Sequence, residues 1–162
     1  MRGWLNRMVL LMALAGVARC GTTSAPPAAP APPGVPTAEI GGLWTGTIQV
    51  TPCELAIQRC NAINNVTFAL TQYGSQVTGN YTCAPGSMSC RHGGADDAGT
   101  IAAGSISGNR VNLAVKIAAD NSDCYYSGAA ASATQARGVY VCYRGGMLIE
   151  EGVFNLVRQE AE

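Results

Sequence analysis

Residues 110 to 117, RVNLAVKI, put an apolar side chain at every second position: Val111, Leu113, Val115 and Ile117. A period of two belongs to a strand with one face in a core and the other in water. Gly108-Asn109, just ahead of it, is a tight-turn signal, so this strand is the second arm of a hairpin. The rhythm recurs in LWTGTIQV (43–50), NVTFALTQ (65–72), QVTGNYTC (76–83), GTIAAGSIS (99–107), DCYYSG (123–128), RGVYVCYR (137–144) and MLIEEGVFNLVR (147–158). Turns fall at Tyr73-Gly74-Ser75 and Gly145-Gly146. No long helix separates these segments, which excludes the crossovers a parallel sheet needs. The chain is therefore all-β. Eight antiparallel strands in chain order close into an up-and-down barrel, which removes the exposed edges of a flat sheet. A two-sheet sandwich is the alternative that local pattern leaves open.

The first 38 residues do not share that rhythm. Residues 1–7, MRGWLNR, carry two arginines and no acid, and residues 8–18, MVLLMALAGVA, are apolar. Eleven apolar residues are too few to span a bilayer, which takes about 20, but they suit a secretory signal peptide. Residues 21–38, GTTSAPPAAPAPPGVPTA, hold six of the eight prolines. They read as an extended spacer of about 50 Å. The expected division is a signal peptide at 1–19, a linker at 20–38 and a β-barrel domain at 39–162. After Cys20, seven bases face ten acids, a net charge of −3. That balance offers no basic patch, and no nucleic-acid partner is expected.

Cys20 stands where the apolar run meets the spacer. The stretch VARC (17–20) resembles the lipobox of bacterial lipoproteins, with Arg19 in place of the usual small residue. The resemblance implies lipidation at Cys20 and a partnership with the membrane through that lipid. Gly21 follows, with no acidic retention signal, as in lipoproteins sorted to the outer membrane. The expected location is the cell envelope, facing the periplasm or the surface. Cleavage to a soluble secreted protein is the alternative.

Six cysteines follow: Cys53, Cys60, Cys83, Cys90, Cys124 and Cys142. An even number in an exported chain points to disulfides, and six permit fifteen connectivities. Local context favours 53–60, 83–90 and 124–142. A regular helix would hold Cys53 and Cys60 about 10 Å apart, beyond bridging range, so that pair requires a bend. A four-thiolate zinc site is the competing reading, but both C-x6-C spacings exceed the usual ligand spacing. No metal and no cofactor are expected.

The first strand carries Gly42-Leu43-Trp44, a G-x-W, and the last ends in Phe154, Leu156 and Arg158. This combination resembles the calycins, the group of lipocalins, fatty-acid-binding proteins and avidins. The resemblance implies that Trp44 closes one barrel end with Arg158 packed across it, a barrel-closing structural pair rather than a ligand site.

No catalytic constellation is legible. His92, in RHGGADD, is the one histidine and reads as a loop residue. The acids of DNSD (120–123) and ADD (95–97) lack the spacing of a calcium loop. Glu150 and Glu151 adjoin in a strand and must face opposite sides. The chain is expected not to be an enzyme. Two functions compete: binding of a small apolar ligand inside the barrel, with Tyr81, Tyr125, Tyr126, Tyr140 and Tyr143 lining or rimming a cup, and interaction with a protein, as a protease inhibitor or envelope scaffold component does.

Overall fold

The computed structural model describes residues 37–51, 62–83 and 98–160. They form eight strands: β1 Gly42–Val50, β2 Ile63–Tyr73, β3 Gln76–Cys83, β4 Ala98–Ser107, β5 Arg110–Ile117, β6 Asp123–Ala130, β7 Gln135–Arg144 and β8 Met147–Arg158. Each pairs antiparallel with the next, and β1 pairs with β8, so the sheet closes. That seam decides for the barrel over the sandwich. The expected signal peptide, Cys20 and nearly all of the linker lie outside the described residues, as do Cys53, Cys60, Cys90, His92 and residues 95–97.

The two-residue rhythm becomes an inside and an outside. Trp44, Ile48 and Val50 point inward from β1, Val66, Phe68 and Leu70 from β2, and Val111, Leu113, Val115 and Ile117 from β5. Strand β4 breaks the rhythm. Ile101 faces Val115 and Ala103 faces Ala114, so Ala102 is the extra residue of a bulge. The bulge resets the alternation, and Ile101 and Ile106 both reach the core although they are five residues apart. A second irregularity, between Cys142 and Tyr143 on β7, leaves Ile149 of β8 without a ladder partner. The connection between β6 and β7 is the four residues 131–134. Ala130 stays in β6 and its N–H donates to the Asn109 carbonyl at 2.8 Å.

One end of the barrel is stoppered by the residues just before β1. The Ile40 side chain is buried in the core. Gln72, at the far end of β2, clamps this segment. Its Oε1 accepts from Ile40 N at 2.7 Å, and its Nε2 donates to the carbonyls of Ala38 at 3.2 Å and Gly74 at 2.9 Å. Trp44 Nε1 donates to the Ile40 carbonyl at 2.8 Å. The bonds to residues 38 and 40 satisfy polar atoms that are buried or half-buried, whereas the one to Gly74 is exposed.

Cys124 and Cys142 are ladder partners on β6 and β7, with Cα atoms 4.0 Å apart, and form a disulfide, the pairing expected from sequence. Closing a loop of 18 residues contributes about 3 kcal/mol. Cys83 is also disulfide-bonded.

Candidate functional site

The barrel interior is the first place a ligand would go, and aromatic rings fill it. Phe68 meets Tyr81 and Tyr126 edge-on, with centroids 5.1 and 5.2 Å apart. Tyr126 stacks on Tyr140 at 5.3 Å and meets Phe154 at 5.7 Å. Room for these rings comes from inward-facing glycines. Gly128 and Gly138 are ladder partners, and Phe154 lies over both: a Cβ on either would fall within 2.7 to 2.8 Å of its ring. Tyr140 lies over Gly152 in the same way. Among the described residues, the cavity bounded by Trp44, Phe68, Tyr126 and Phe154 measures about 20 Å³. That is the space of one water molecule, against the several hundred Å³ of a ligand site. Of the five tyrosines expected to line or rim a cup, Tyr81, Tyr126 and Tyr140 are core filling and Tyr125 and Tyr143 lie outside.

One acid is inside. Glu150 is buried and accepts a hydrogen bond from the Tyr140 hydroxyl at 2.8 Å. Its neighbour Glu151 faces outward, so the two do not form a carboxylate pair. Among the described residues, no three His, Cys, Asp or Glu side chains gather as a metal site would require.

Trp44 and Arg158 are ladder partners across the β1–β8 seam. A Cβ on Gly42, where φ is +120°, would come 3.1 Å from Arg158 Nε. The glycine of the G-x-W thus leaves space for the guanidinium. Comparison of the chain with family models, with curated proteins and with solved structures finds no match.

The outer surface is uneven. On β3 and along the middle of β2 and β5 the outward residues are mostly polar, among them Asn65, Thr67, Thr71, Gln76, Thr78, Asn80, Arg110, Asn112 and Lys116, while Ile63 and Tyr73 stand exposed at the two ends of β2. On β6, β7 and β8 they include Tyr125, Val139, Val141, Tyr143 and Val153. The ladder sets Tyr125 beside Val141, and Val139 beside Val153. The Tyr125 and Tyr143 rings meet edge-on at 6.1 Å. This face was missed by a reading that searched for chemistry. Its signal is present: VYVCY (139–143) is apolar at consecutive positions, the pattern of a strand covered on both sides. A shallow groove of about 330 Å³ crosses the neighbouring strands, lined by Ala103, Ser105, Asn112, Ala114, Tyr125 and Ser127.

Proposed function

We propose that the chain is an exported, lipid-anchored interaction module whose folded head works through its outer surface and binds a protein of the cell envelope. The filled interior carries this reading. Among the described residues, the inner cavity between Trp44, Phe68, Tyr126 and Phe154 has the space of one water, which supports a recognition surface on the outside. The calycin-like features are read the same way: Trp44 and Arg158, ladder partners at the seam, serve to close the barrel. Lipidation at Cys20, with the proline-rich spacer after it, would hold the head clear of the membrane at which its partner resides.

A second reading, capture of a small apolar ligand, is favoured by two surface hollows among the described residues, one of about 770 Å³ lined by Leu43, Ala133, Thr134 and Arg158, the other beside Tyr125. The groove bounded by Tyr125 is about 330 Å³, at the small end of the range for ligand sites. Native mass spectrometry of the full chain purified from its own envelope separates the two. The proposal expects the mass of the lipidated polypeptide with no stoichiometric small molecule, together with an envelope polypeptide recovered by crosslinking in intact cells. A small molecule bound one to one overturns it. Cys20→Ala is expected to move the protein from the membrane to the soluble fraction. Unchanged membrane association overturns the anchor.

A further inference from the structure

We infer that the outer face of β6, β7 and β8 is a self-association surface, on which a second copy of this chain packs about a two-fold axis perpendicular to the strands. This deepens the reading of the outer surface as the working surface and names one partner for it.

Three observations carry it. First, β7 is apolar on both faces. Tyr140 and Cys142 are buried in the barrel, while Val139, Val141 and Tyr143 face out. Val139 is 56 % exposed and Tyr125 49 %. A strand of this composition matches a sheet with a neighbour on each side, and the described residues supply only the inner neighbour. Second, the apolar residues are contiguous. Tyr125, Val139, Val141, Tyr143 and Val153 adjoin through the ladder, whereas the exposed Leu43, Ile63 and Tyr73 stand at strand ends, away from them.

Third, the flanking charges select the partner. Arg137 lies two residues from Val139 on β7, and Glu151 is the ladder neighbour of Val141 on β8. A two-fold axis parallel to the strands would set Arg137 against its own image. An axis across the strands at the level of Val139 sets the Arg137 level of one copy over the Val141 level of the other. Glu151 is then one strand away, about 4.8 Å sideways, within reach of an arginine side chain. Symmetry makes this ion pair twice. Val139 meets its own image at the centre, and the two sheets pack face to face, as sheets do in a sandwich.

Two experiments on the full chain test this. A photo-crosslinking amino acid at position 139, in cells producing the protein, should give a covalent homodimer, identified by mass spectrometry. The same probe at Thr67, outward on β2, should not. Native mass spectrometry from detergent micelles should show a dimer at protein concentrations between about 1 and 100 µM, where a small interface is populated. Arg137→Glu and Glu151→Arg should each lower the dimer fraction at least fivefold, and the double exchange should restore it to within about twofold. Both positions face outward, so an unchanged far-UV spectrum shows that folding survives. Equal crosslinking at 139 and 67, or failure of the double exchange to restore the dimer, overturns the inference. A crosslink from 139 to a different envelope polypeptide, with no homodimer, also overturns it and leaves the proposed function standing.

Discussion

Trp44 and Arg158 stand opposite each other across the seam where the first and last strands meet. They are one register position of the β1–β8 ladder, which turns a sheet with two edges into one with none and joins residues 114 positions apart. The Trp44 ring is buried and its indole N–H is taken up by the Ile40 carbonyl. The same side chain thus joins the seam to the stopper.

Trp44→Phe is expected to lower stability by about 1 to 3 kcal/mol, since it strands the Ile40 carbonyl and leaves part of the ring volume empty. Trp44→Ala is expected to cost more, about 3 to 5 kcal/mol. The change in urea midpoint at constant slope measures both. Equal midpoints for wild type and Trp44→Phe would show that the indole N–H contributes nothing.

Gly138→Ala tests the filling of the interior. The added Cβ would lie 2.2 Å from the Ser127 carbonyl oxygen and 2.8 Å from Phe154 Cε1. The first contact is with backbone, which cannot swing away. A glycine-to-alanine change in an unhindered strand stabilises by up to about 1 kcal/mol. Here the sign reverses, with an expected loss of about 2 kcal/mol or more, read by thermal or denaturant melts. A neutral result would mean that β6 and β7 lie further apart than the ladder indicates.

Gln72→Ala should release the stopper. Three hydrogen bonds are lost, two of them to residues 38 and 40. Each contributes about 0.5 to 1.5 kcal/mol. The expected outcome is faster amide exchange at Ile40 with little change at Val115, in the middle of β5. Native-state hydrogen exchange distinguishes this local opening from a global loss of stability, which would accelerate both sites together.

Replacing Cys124 and Cys142 together by alanine is expected to cost about 3 kcal/mol while leaving the barrel folded. Both sulfurs are buried, so thiol reagents should fail to label them in the reduced native protein until it unfolds. Peptide mapping under non-reducing conditions should recover residues 124 and 142 on one linked fragment.

The alternation in NVTFALTQ and RVNLAVKI was enough to assign strands and their inner faces, because a pleated chain has only two sides and water sorts them. The turn at Gly108-Asn109 and the order of eight short segments were enough for antiparallel strands in chain order, while a sandwich stayed open until the pairing of β1 with β8 closed the sheet. Local context favoured Cys124 with Cys142 because both fall in strand-like segments near the C-terminus, and the ladder between β6 and β7 sets them opposite each other. The bulge at Ala102 was not legible, since an extra residue in one strand is defined only against its partner. Nor was the state of the interior. Whether Tyr126, Tyr140 and Phe154 line a cup or fill it depends on how close opposite walls come, and the ladder partners Gly128 and Gly138 let them close in. Strand sequence carries the side each residue faces. The distance across the barrel, and with it the choice between a container and a solid body with a working exterior, arises only when all eight strands pack at once.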